Sequence, residues 1–242
     1  MNTNIGRRLT LGLVVTILLL AGCNPAAAPI EATITSVPTK PPGIPIIIDS
    51  DMGSNGIMAL AYILQRPEFD ILAVTVSGTG EAHCSRGTED AVGLINLTNA
   101  GDIPVACGRE TPLKGTHKFP DFIREKADGD KGIDLNSQGV GSDLSASQEI
   151  QAVISQSPQP VVVITDGPLT NLAEALLAEP ELVKNIQMIY IMGGAIDVPG
   201  NLFGVPQYST EVTAEFNIFV DPYAAGVVIN SGAPITLVPL DV

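Results

Sequence analysis

Positive charge is scarce in this chain. Its 242 residues hold 12 Lys and Arg against 26 Asp and Glu, a formal net charge of −14. Phosphate backbones and anionic membrane surfaces are gripped by clustered cations, so this balance argues against a nucleic-acid or anionic-membrane binder. It suits a neutral small substrate or a cation. Histidine is scarcer still: His83 and His117 are the only two. Both read as polar surface residues, and a Ser-His-Asp hydrolase has little support. Of three cysteines none forms a Cys-x-x-Cys pair, which argues against zinc or dithiol chemistry. Cys84 and Cys107 read either as buried thiols or, in an exported protein, as a disulfide. Neither an internal repeat nor a second domain boundary is visible.

The chain opens with Arg7 and Arg8 before an apolar run from Leu9 to Ala21. A basic start, a short apolar core and small residues before a cut make a secretory signal, too short for a comfortable membrane span. Its Leu20-Ala21-Gly22-Cys23 ending resembles the bacterial lipoprotein lipobox. That implies cleavage before Cys23, a lipid on its thiol, and a protein anchored in the bacterial cell envelope facing outside the cytoplasm. An uncleaved anchor helix is the alternative. Residues 23–43 then read as the lipidated cysteine and a Pro/Ala/Thr-rich tether, and residues 44–242 as the folded unit. Without Arg7 and Arg8 the balance is ten basic against 26 acidic residues, a net charge of −16.

Within that unit, apolar strand-like runs alternate with helical patterns. Strands are expected at Ile46–Ile48, Ile71–Val76, Ile103–Ala106, Val161–Ile164, Ile186–Ile191 and Ile235–Val238. Helices are expected at Ile57–Gln65, Thr88–Asn99, Ser145–Ser155, Leu169–Leu177 and Pro222–Asn230. Unbroken β-branched runs mark strands buried on both faces. The alternation predicts an α/β fold with a mainly parallel, Rossmann-like sheet flanked by helices. Residues 109–144 read as a long surface excursion.

In such sheets ligands bind beyond the carboxyl ends of the strands. Asp49 and Asp51 follow the first strand there, Ser77-Gly78-Thr79-Gly80 the second and Thr165-Asp166-Gly167 the fourth. Met192-Gly193-Gly194 follow the fifth, and Asp241 the sixth. Asp49 and Asp51 can place two carboxylates near one hard cation, which takes oxygen ligands. One aspartate alone would serve equally as a helix cap; two at a strand end favour a site. Glu215 and Asn217, two apart, would face the same way in an extended segment and grip neighbouring hydroxyls. Asp221 before Pro222 reads as a helix N-cap.

Taken in order, Asp49-Ser50-Asp51-Met52-Gly53, Thr75-Val76-Ser77-Gly78, Gly167-Pro168-Leu169-Thr170-Asn171, Met192-Gly193-Gly194-Ala195, Gly200-Asn201, Ala214-Glu215-Phe216-Asn217 and Asp221-Pro222 resemble the inosine/uridine-preferring nucleoside hydrolases. The resemblance implies a calcium-dependent hydrolase cleaving the N-glycosidic bond of ribonucleosides, with calcium on the ribose hydroxyls and a water. Mapped by motif, Asp51 would be metal ligand and general base, and the Asp166 carbonyl a further ligand, with Asp49 the next acid in reach. Met192, Asn201, Glu215 and Asn217 would contact the ribose, together with Asn55 and Thr79. The implied partner is a small nucleoside, and a homo-oligomer is compatible with it.

Departures from the family pattern accompany the match. Its loop usually continues with two adjacent aspartates, where this chain has Asn55 and Gly56. Thr79 stands where an asparagine is common, and residues 127–132 lack the expected histidine. The family also continues for about a third of its length past the position of Val242, with a late metal-binding aspartate and a leaving-group histidine. Fewer carboxylates weaken a calcium site steeply, so weak or absent turnover is the expectation for this form. A non-catalytic nucleoside- or ribose-binding lipoprotein is the alternative. A haloacid dehalogenase-like phosphatase, with Asp49 as nucleophile, is a minor one.

Overall fold

β1 (Ile44–Ser50) occupies the middle of the sheet because its sequence leaves it no solvent-facing side: every residue after Ile44 is buried. Ile46 and Ile48 point to one face and Ile47 to the other, as the two-residue strand period requires. Full burial of each such side chain contributes about 1.5–3 kcal/mol. The computed structural model describes residues 43–129 and 141–242. The expected signal, Cys23 and all but residue 43 of the expected tether lie outside the described residues, as does the 130–132 part of the loop expected to carry a histidine. Among the described residues no helix is long and apolar enough to cross a membrane.

Six strands form one sheet in the order β3-β2-β1-β4-β5-β6, and every pairing is parallel. The others are β2 (Phe69–Val76), β3 (Val105–Cys107), β4 (Val161–Thr165), β5 (Ile186–Met192) and β6 (Ile235–Val238). The order reverses between β1 and β4, and the loops leaving those two strands part in opposite directions. A crevice at that point is where open α/β sheets bind ligands.

Helices cover both faces. α1 (Ser54–Ile63), α2 (Cys84–Thr98) and α3 (Asp121–Asp128) lie on one side, in a core with Ile46, Ile48, Val74 and Val76. α4 (Ala146–Gln156), α5 (Thr170–Ala178) and α7 (Pro222–Ile229) lie on the other, around Ile47, Val163, Ile189 and Ile191. A third cluster gathers Phe119, Leu202, Val205, Phe216 and Val220 beside the short helix α6 (Phe216–Val220).

Two expectations need correction, and one open alternative is decided. The excursion at 109–144 is not all irregular, because α3 lies within it and buries Arg124 and Ala127. The segment around Glu215 is not extended; Glu215 is the N-cap of α6, and its carboxylate accepts from the backbone of Asn217 and Ile218. Of the two readings left open for the cysteines, the disulfide is the one found: Cys84 and Cys107 are bonded, Cα–Cα 5.6 Å. That bond ties the start of α2 to the end of β3.

Candidate active site

The loop after β1 turns back at once. Met52 takes φ +54°, a left-handed conformation a side chain rarely adopts, and its side chain is buried in the core. The reversal lets the Gly53 N–H donate to Asp51 Oδ1 at 3.3 Å and the Met52 N–H to Ser50 Oγ at 3.1 Å. From the loop after β2, the Glu81 N–H donates to Asp51 Oδ2 at 3.1 Å. Asp51 is thereby held from two loops. Its side chain lies in a slot between Gly80 and Gly167: a Cβ on either would stand 2.1 Å and 2.8 Å, respectively, from the Asp51 Cβ. The slot requires glycine on both walls.

Asp166 enters from the end of β4. Its carboxylate accepts from the Ser50 hydroxyl and from the Asp51 backbone, and its Oδ1 is buried with no partner. Burial raises Asp166 to about 6, and the Glu81 charge adds to the effect. Asp51 is raised too, by burial first and then by the charges of Asp166 and Glu81. Glu81 is the residue that motif reading missed; the signal was its place directly after Ser77–Gly80.

Asp49 is fully buried, and its Oδ1 accepts from Thr75 Oγ1 at 2.7 Å and Asn171 Nδ2 at 2.8 Å. Burial pushes it up to about 7, and its Oδ2 has no partner. So enclosed a carboxylate orients its neighbours. It is not placed as the exposed nucleophile a phosphatase of the Asp-x-Asp type needs.

The roof comes from β5 and α6. The Asn217 side-chain amide donates to the Asp166 carbonyl at 3.2 Å and to the Met192 carbonyl at 3.1 Å. Asn217, Met192 and Asp166 are thus brought together at one edge of the crevice. Glu215 stands beside them, but its oxygens accept from the backbone of Gly194, Asn217 and Ile218. Asn201 Oδ1 accepts from the Phe216 N–H at 2.9 Å and pins the start of α6. Asn55 is exposed in the first turn of α1.

Thr79 is drawn inward. Its hydroxyl lies 3.2 Å from that of Ser77 and 3.0 Å from that of Thr170, which donates to Asp221 at 3.0 Å. This buried hydroxyl chain locks three loops together. Asp221 also caps α7 through the Ala224 N–H at 3.0 Å, as its place before Pro222 predicted. Asp241 accepts from Ile196 and Asp197 in an exposed loop. The histidines are half-buried, not free: His83 pairs with Asp128 at 2.5 Å, and His117 stacks on Phe219 at 4.0 Å.

An all-oxygen set with two raised carboxylates and an orphaned buried oxygen suits a hard cation. Among the described residues no three His, Cys, Asp or Glu side chains are arranged to hold a metal by themselves. A cation here would take Asp51 and Asp166 with carbonyl, amide, substrate or water oxygens.

Residues 46–242 match the model of the inosine-uridine preferring nucleoside hydrolases. The chain belongs to that family. A Shewanella baltica protein named pyrimidine-specific ribonucleoside hydrolase RihA is 39% identical over 201 residues, 81% of this chain and 59% of that protein. Among solved structures, a plant nucleoside hydrolase shares 31% identity at a TM-score of 0.72, covering 83% of this chain and 61% of its own. An inosine-uridine preferring nucleoside hydrolase from Bacillus anthracis shares the fold at a TM-score of 0.73 with 23% identity, covering 82% and 65%. This nucleoside hydrolase-family chain therefore spans 59% of the Shewanella protein's length.

Proposed function

We propose that this nucleoside hydrolase-family chain binds ribonucleosides at the β1/β4 crevice and hydrolyses their N-glycosidic bond with the help of calcium. The observation that carries this reading is the meeting of Asp51, in its glycine-walled slot, with Asp166 under the Asn217 amide. Calcium, when bound, supplies the positive charge that orients the ribose hydroxyls and makes a water easier to deprotonate. Asp51 takes the proton of the water that attacks the anomeric carbon, whose transition state has oxocarbenium character. Asp166 supplies the second negative charge. Asn217 and Met192 frame the sugar side of the crevice, and Glu215 holds that frame through the α6 cap.

Pyrimidine ribonucleosides are the first substrates to try, because the Shewanella relative is named for them. Ribose release from uridine should require calcium and stop on chelation. Asp51→Asn should lower it by about 10³-fold or more, since base and ligand are lost together. No release with calcium present removes the hydrolytic reading.

A second reading has an observation of its own: Glu215 and Thr79 have their oxygens engaged within the fold. On that reading the protein binds nucleoside without turnover. Uridine would then raise the melting temperature while no ribose appears; no shift at millimolar ligand ends it. In either case we place the chain in the cell envelope, anchored by a lipid on Cys23. Labelling with a radioactive fatty acid that Cys23→Ser abolishes would support that placement, and unchanged labelling would refute it.

A further inference from the structure

After Asp51 the chain carries no acidic residue until Glu68. A divalent cation at the end of β1 must therefore draw its other negative charge from elsewhere in the fold. The space facing residue 56 shows where. A Cβ built on Gly56 would stand 3.2 Å from Asp166 Oδ2 and 2.4 Å from Ser50 Oγ. Position 56 and the Asp166 carboxylate thus address the same volume from two different loops. With glycine at 56, the carboxylate from β4 fills it.

The neighbours fix that carboxylate without neutralising it. The Ser50 hydroxyl and the Asp51 backbone donate to it, while Oδ1 is left buried and unpartnered. The guanidinium of Arg124 donates to the carbonyls of Gly78 and Ala82, not to either acid. The Asp166 carbonyl already accepts from Asn217 at 3.2 Å. Two carboxylates, one with an oxygen awaiting a partner, face each other across the β1/β4 crevice. Charge count is the main determinant of affinity in an oxygen-ligand calcium site.

We infer that Asp166 ligates calcium through its side-chain carboxylate, so that the end of β4 supplies the negative charge that residues 55 and 56 do not. This rests on the calcium reading of the site given above. It differs from ligation by the backbone carbonyl, which any residue at 166 would provide.

Calorimetric titration of calcium into the full chain in detergent separates the cases. Asp166→Asn keeps the backbone carbonyl and the side-chain size, removes the charge and exchanges one acceptor oxygen for an amide donor. It should weaken calcium binding at least tenfold, while the metal-free melting temperature stays level or rises because a like-charge neighbour of Asp51 is gone. The double variant Gly56→Asp with Asp166→Asn moves the charge back across the same volume and should recover most of the lost affinity. Equal affinity in wild type and Asp166→Asn overturns the carboxylate assignment and leaves the calcium reading standing. A double variant no better than Asp166→Asn also counts against it. A wild-type chain that takes up no calcium overturns both.

Discussion

Asn171, the second residue of α5, donates its side-chain amide to Asp49 at 2.8 Å and to the Val76 carbonyl at 3.0 Å. One amide thereby joins the ends of β1 and β2 to the helix that follows β4. Both acceptors keep a second donor, Thr75 Oγ1 for Asp49 and the Gly108 N–H for the Val76 carbonyl, so truncation removes two buried hydrogen bonds without stranding either acceptor. Asn171→Ala should cost about 1–3 kcal/mol for the two bonds together. Asn171→Asp, which adds a like charge beside Asp49, should cost more. Urea unfolding with an unchanged slope would read the loss as a lower midpoint; a change under about 0.5 kcal/mol would show the amide is incidental.

The buried acids set a pH dependence. Asp49 is raised to about 7 and Asp166 to about 6, both chiefly by burial, and Asp51 is raised as well. The folded chain therefore holds protons that the unfolded chain has released. The stability from this source is full below the unfolded value of 3.8 and is lost as pH rises through about 6 to 7. Asp121, Asp128 and Asp241 are lowered instead, so their contribution disappears only in stronger acid. Without divalent cations the melting temperature should be higher near pH 5 than near pH 8. Calcium should narrow or reverse that gap by stabilising the ionised carboxylates. A metal-free melting temperature that climbs from pH 5 to 8 would contradict the assignment.

Glu215 holds the start of α6 by accepting from three backbone N–H groups. Glu215→Ala should cost about 2 kcal/mol, the upper end for loss of a helix cap. Because Asn217 hangs from the first turn of that helix, nucleoside affinity should fall in the same variant. Thermal shift with and without uridine would measure both losses. A stable variant with full affinity would remove Glu215 from the site.

The Cys84–Cys107 bridge spans 23 positions. Closing a loop of that size stabilises a fold by about 3 kcal/mol through the unfolded chain. Guanidinium unfolding should shift to a lower midpoint under a thiol reductant. The Cys84→Ser/Cys107→Ser variant should start at that lower midpoint and ignore the reductant. A wild-type midpoint indifferent to reductant would show that the bond contributes little.

All six strands were legible in the sequence as short apolar runs rich in β-branched residues, continuous in β1 and β4 because both faces are buried there and present even in the largely exposed β6. Asp51, Asp166, Met192 and Asn217 were legible as strand-end polar residues or as family motif. What escaped notice depended on contacts distant in sequence. α2 starts at Cys84, four residues before the expected Thr88, where the disulfide and the His83–Asp128 pair fix the chain. α5 begins at Thr170, one residue after the expected Leu169, following a turn that sets Gly167 against Asp51. α6 is a five-residue helix, too short for periodicity to show, and its Glu215 cap resembled an extended pair with Asn217. Glu81 carries no motif and matters only through the fold that lays its loop on Asp51.

Met52 belongs to two structures at once. Its backbone makes the left-handed reversal that aims Asp51, and its side chain packs with Ile48, Val76, Ala82 and Leu94 on the α1/α2 side. The shape of the crevice is thus a function of core volume several side chains away. Sequence change at Leu94 or Val76, whose side chains lie in the core, can retune the carboxylate geometry, so constraint on the site extends inward to residues that look purely architectural.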